Sequence, residues 1–102
     1  MIKFLVPLSF DWDEGNVEKN WKKHNVHQKE AEEVFVNKHL KIFSDPTHSG
    51  VEDRFLAYGV TSLNRKLTLV FTIRNQKIRI ISARNQNKKE RRVNETKTDT
   101  KV

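Results

Sequence analysis

The chain has no cysteine. That excludes a disulfide framework and any thiolate metal site, and it fits a reducing, cytoplasmic setting. Long apolar runs are missing too. The opening stretch MIKFLVPL is interrupted by Pro7 and followed at once by Asp11 and Asp13. It is too short for a signal-sequence core or a membrane span, and reads as an edge strand. His27, His39 and His48 show no ligand spacing, so no metal or other cofactor is expected. No internal repeat is visible.

What the chain has is positive charge. Twenty Lys and Arg against 13 Asp and Glu leave a net +7 on 102 residues. Such an excess on a small domain favours anionic partners such as nucleic acid, an acidic protein or a membrane surface. At this length the chain forms one domain with a single modest core. The composition, 35% apolar and 32% charged, is polar but sufficient to fold.

The stretch LTLVFTIRNQKIRIISARNQNKKERR, residues 67–92, carries the most information. With Asn75-Gln76 as a two-residue hairpin loop, Arg74 lies opposite Lys77, Ile73 opposite Ile78, Thr72 opposite Arg79 and Phe71 opposite Ile80. Continued without interruption, the register sets Leu67 opposite Arg84. Leu67, Leu69, Phe71, Ile73, Ile78 and Ile80 then share the core face, and Arg74, Lys77, Arg79 and Thr72 the other. In this register Arg84 extends the apolar face, where it either snorkels to solvent or points into a cleft.

Around the hairpin, Asp13 caps a helix to about His24, with Val17, Trp21 and His24 on one face, and Asn25 serves as a left-handed C-cap. A second helix spans roughly residues 28–37. Strands are expected over 40–43 and 54–61, flanking the polar loop SDPTHSGVED. Asn87 with Glu90 three residues later resembles a capping box, which starts a last helix running to about Glu95. The expected fold is α+β: a single domain over 1–95, a mostly antiparallel twisted sheet packed against two N-terminal helices, and a short C-terminal helix. Residues 96–102, TKTDTKV, read as a disordered basic tail.

FDWDEGNVEKNWKKHNV, EAEEVF, DPTHSGVEDRFLAYGVTS, LTLVFTIR and IRIISARNQNKKERR occur in the order that resembles the BrnT toxins of bacterial type II toxin-antitoxin systems. The resemblance covers about Phe10 to Glu95. It implies a compact fold similar to the RelE-type ribonuclease toxins, RNA cleavage that arrests growth, and inhibition by the antitoxin BrnA, through which the pair reaches DNA. It further implies site residues at Lys23, His24, Glu52, Arg54, Arg74, Arg84 and Glu90. This chain departs from the family at three positions. Asn25 replaces a Gly, Asn16 a Lys, and Asn94 the Tyr often found near the end of the last helix.

The chemistry is consistent with those residue types. Attack by a 2′-hydroxyl needs a proton acceptor, stabilisation of the phosphorane and a proton donor for the leaving oxygen. Guanidinium groups suit the second task, since their paired donors match phosphate and stay charged. Arg54, Arg74 and Arg84 are therefore the expected clamp. His24 is a candidate acid or base and Glu52 a candidate base. Lys77, Arg79, Lys88, Lys89, Arg91 and Arg92 are expected to bind RNA. Plainer roles exist for several of these residues. His24 at a helix end can be a cap, Trp12 and Trp21 can be core, and Glu52 with Arg54 can be a surface pair. Two function classes stay open: a metal-independent ribonuclease toxin held by a partner, and a basic module that binds RNA or antitoxin without cutting.

Overall fold

The computed structural model describes residues 9–45 and 53–95. The expected edge strand before Ser9, Glu52 and the tail after Glu95 lie outside the described residues. The element order is α1 (Glu14–His24), α2 (Gln28–Val34), β1 (Lys41–Ser44), β2 (Phe55–Val60), β3 (Lys66–Arg74), β4 (Lys77–Asn85) and α3 (Lys88–Glu95). The strands form one antiparallel sheet in the order β1-β2-β3-β4. Ser9 to Asp11 run parallel beside β4, where the Asp11 N–H donates to the Ile78 carbonyl at 2.8 Å and the Ile78 N–H to Ser9 at 2.9 Å. No helix among the described residues is long and apolar enough to cross a membrane.

Local chemistry explains the boundaries. Asn25 ends α1 in the left-handed region at φ 57°, its N–H bonded to the Trp21 carbonyl. α2 is shorter than its apolar pattern predicts. The N–H groups of Phe35, Val36 and Asn37 bond three residues back, to Glu32, Glu33 and Val34, so the helix tightens and stops. Asn75 and Gln76 both take positive φ, 52° and 66°, as a two-residue turn between twisted strands requires. Asn87 and Glu90 form the reciprocal cap of α3: Asn87 Oδ1 accepts the Glu90 N–H at 2.8 Å and Glu90 Oε1 the Asn87 N–H at 3.0 Å.

The hairpin register holds from Arg74↔Lys77 to Phe71↔Ile80 and then shifts by one residue. Val70 pairs with Ser82, which leaves Ile81 as the extra residue of a β-bulge. Leu67 therefore lies opposite Asn85, and Arg84 opposite Thr68. This corrects the uninterrupted register. Past the bulge Ala83 faces the core, and Arg84 emerges on the opposite side.

The core lies between the sheet and the first two helices. Val26, Ala31, Val34 and Phe35 pack on Ala57, Leu67, Leu69, Phe71, Ile78, Ile80 and Ala83, all buried. Phe35 meets Phe71 edge-on with ring centroids 5.0 Å apart. β2 crosses under α2 at Gly59, where an added Cβ would lie 2.5 Å from Val34 Cγ1. Trp12 packs against this core, but Trp21 does not join it and is 45% exposed.

Candidate nucleic-acid interface

The sheet face turned away from α1 and α2 carries five of the cations singled out from the sequence, Arg54, Arg74, Lys77, Arg79 and Arg84. Cross-strand pairing sets Lys41, Tyr58, Thr68 and Arg84 in one row, and Phe43, Leu56, Val70 and Ser82 in the next. Thr72 and Arg79 form a further pair, and Arg74 with Lys77 closes the hairpin tip. Arg54, just before β2, belongs to this face by alternation with Leu56 and Tyr58.

α3 covers one end of the face. Arg84 Nη1 and Nη2 donate to Glu90 Oε1 and Oε2, each at 2.7 Å. Thr68 Oγ1 donates to the same carboxylate at 2.9 Å. Burial by itself would raise the Glu90 pKa, but the Arg84 guanidinium, the Asn87 N–H and the Thr68 hydroxyl outweigh it and hold the carboxyl below its ordinary value. The hydrogen bonds to Glu90 in turn push Arg84 further toward its charged form. Nε of Arg84 has no acceptor among the described residues, so the guanidinium is oriented by one edge and keeps donors in reserve.

Tyr58 flanks the pair across Thr68. It packs against Phe43 with ring centroids 5.2 Å apart, and burial, then the Glu90 charge, raise its pKa. The phenol therefore keeps its proton at neutral pH. Beside it Lys41 Nζ donates to the Val93 carbonyl at 2.7 Å. Asn94, where the family Tyr was expected, is buried instead. Its Nδ2 donates to the His39 carbonyl at 2.9 Å and its Oδ1 accepts from Gln86 Nε2 at 2.9 Å. Lys88, Lys89, Arg91 and Arg92 point outward from α3, with Arg91 also donating to the Gln86 carbonyl at 3.0 Å.

The remaining cations are dispersed. Thr68 and Thr72 are four residues apart on β3, which separates the rows of Arg84 and Arg79 by about 13 Å at roughly 3.3 Å per residue. Arg54 and Arg74 thus stand toward the opposite end of the face from Arg84. Arg79 is held at the sheet edge by Asp11 at 3.4 Å and Asp13 at 2.5 Å. Lys23 and His24 lie elsewhere, at the end of α1 on the helical side. Lys23 is exposed and His24 half-buried.

Sequence reasoning missed Arg65, the residue that organises that corner. Its Nη1 donates to the Asn25 carbonyl at 2.8 Å and to Glu30 at 3.0 Å, its Nη2 to the His24 carbonyl at 3.1 Å, and its Nε to Asn85 Oδ1 at 2.9 Å. A cation on the last carbonyls of α1 complements both the unpaired acceptors and the helix dipole. Burial disfavours ionised Glu30, but the His27 N–H and Arg65 prevail and lower its pKa. Tyr58 was missed as well. A lone Tyr in an alternating strand carries no mark of its surroundings. No group of His, Asp and Glu among the described residues is arranged to hold a metal ion.

Comparison with curated proteins returned no match. At the level of families, residues 12–90 match the ribonuclease toxin BrnT of type II toxin-antitoxin systems. That span takes in α1 through the Arg84–Glu90 pair, and with it the sheet and its open face. The chain therefore belongs to the BrnT family of ribonuclease toxins.

Proposed function

We propose that this chain is a metal-independent endoribonuclease that cuts RNA on the sheet face opposite α1 and α2, acts in the cytoplasm, and is neutralised by a BrnA-type antitoxin. The observation that carries the reading is Arg84 held by Glu90 beside Tyr58, on an open face bordered by the cations of α3. In the reaction a ribose 2′-hydroxyl gives up its proton to solvent as its oxygen attacks the adjacent phosphorus, and the bond to the 5′-oxygen breaks as that oxygen takes a proton from solvent. A 2′,3′-cyclic phosphate and a 5′-hydroxyl remain. Arg84 stabilises the negative charge that builds on the non-bridging oxygens. Arg54, Arg74 and Lys77 hold phosphates farther along the strand, and the exposed cations of α3 add affinity. Tyr58 and Phe43 offer a surface on which a base can stack. Arg79, neutralised by two aspartates, serves the fold in this reading. Lys23 and His24, on the helical side, take no step in the chemistry. The antitoxin covers part of the cationic face, and DNA is reached only through the complex.

Asn94 favours the rival reading, a module that binds without cutting, because its amide is committed to the fold and supplies neither a ring nor a phenol. Purified protein with end-labelled RNA in EDTA separates the two. Cleavage leaving cyclic-phosphate ends supports the nuclease. Binding without cleavage selects the module, and cleavage that vanishes in EDTA and returns with Mg²⁺ or Zn²⁺ overturns the metal-free mechanism.

A further inference from the structure

On the helical side, away from the cationic face, a cleft of about 570 Å³ opens between α1 and the start of α2. Trp12, Trp21 and His27 line it together with Asp13, Glu14 and Glu18. Among the described residues of that lining every strongly charged side chain is a carboxylate, on a chain whose net charge is +7. Asp13 is engaged by Arg79 and Glu18 by Lys22, but Glu14 meets no cation among the described residues. Trp12 is fixed by its Nε1 donating to Glu32 at 2.7 Å. Trp21 packs against His27 with ring centroids 4.3 Å apart and the planes inclined by 40°, and remains 45% exposed.

This lining repels RNA and suits a different ligand. Indole faces attract cations and bury apolar surface, and carboxylates at the rim add charge pairing. A cleft of this volume holds several side chains of a peptide. We infer that it docks a segment of the antitoxin carrying a Lys or Arg beside an apolar anchor, as a second contact separate from the one over the cationic face. The inference rests on the antitoxin reading above. It makes binding on the helical side independent of the residues that meet RNA.

Both tryptophans of the chain line the cleft, so occupancy can be read directly. The toxin, labelled with 5-fluorotryptophan, is mixed with unlabelled antitoxin from the same operon and followed by fluorine NMR, with complex formation checked by size-exclusion chromatography. Expected are shifts of both resonances, with Trp21→Phe identifying one of them. The affinity should fall roughly 10-fold or more for Trp21→Ala and for the double reversal Glu14→Lys with Glu18→Lys, as for anchor residues at an interface centre. Circular dichroism confirms that these variants fold. A complex that forms with both resonances unmoved, or that the double reversal leaves at full affinity, overturns the docking site while leaving the antitoxin reading intact. Failure of any complex to form removes both.

Discussion

Arg84 and Glu90 meet through two parallel hydrogen bonds, the guanidinium leaving β4 and the carboxylate arriving from α3. The pair joins the last strand to the last helix and sets the direction of the guanidinium proposed to clamp phosphate. Replacing Arg84 by Ala should leave a folded protein with RNA cleavage lowered roughly 10²-fold or more, and Arg54→Ala should behave alike. Arg84→Lys should also lose most activity, since an ammonium cannot hold both Glu90 oxygens and offer paired donors to phosphate. Single-turnover cleavage and growth arrest on induction measure this. Wild-type arrest by both alanine variants would remove the assignment.

Acid should weaken the fold through two carboxylates. Glu90 and Glu30 are both held below their ordinary value of 4.5. Their contribution to stability is therefore complete above about that pH and is lost as pH falls through the lower folded-state values. Glu90→Gln and Glu30→Gln should each flatten the acid limb of a stability–pH curve. At neutral pH each should cost about 1–3 kcal/mol, because the partner cation is left without its counter-charge. Urea denaturation at a series of pH values reads both effects, and an unchanged acid limb in the double variant would refute the attribution.

The contact of Gly59 with Val34 leaves no room for a methyl group. Gly59→Ala should destabilise by about 1–3 kcal/mol through overpacking. Adding Val34→Ala should recover part of that loss, so that the double variant is more stable than the sum of the two singles predicts. Thermal unfolding of the four proteins in the cycle measures the coupling. Strict additivity would show that the helix shifts freely over the strand.

Arg65 unites the end of α1, Glu30 of α2 and Asn85 of β4. Arg65→Ala should cost about 1–3 kcal/mol and raise amide hydrogen exchange first in the last turn of α1. Exchange that rises uniformly over the domain would instead indicate a general loss of packing.

The hairpin was legible in the sequence because each local cue agreed with the next. Asn75-Gln76 tolerates positive φ, and the apolar alternation on either side admits one pairing. Asn25 and the Asn87–Glu90 box were legible for the same reason, since their partners lie within four residues. The side on which Arg84 emerges was not, because alternation alone does not reveal an extra residue; the adjacent pair Ile80-Ile81 was its one trace. Arg65 was invisible on other grounds. Two of its acceptors, His24 and Asn25, lie about 40 residues back along the chain and are backbone carbonyls, which leave no mark on residue choice.

The bulge at Ile81 acts on β4 as a frameshift acts on a reading frame. Upstream of it, at the hairpin tip, odd and even positions have one meaning; downstream, toward α3, they have the other. Deleting that single half-buried residue would alter no charge, yet it would turn Arg84 and Ser82 toward the aliphatic interior and bring Ala83 out in their place. Substitution cannot mimic the change, since exchanging a side chain leaves parity untouched. The two ends of the strand are thus free to vary by point mutation independently, while the boundary between them can be gained or lost only by insertion or deletion.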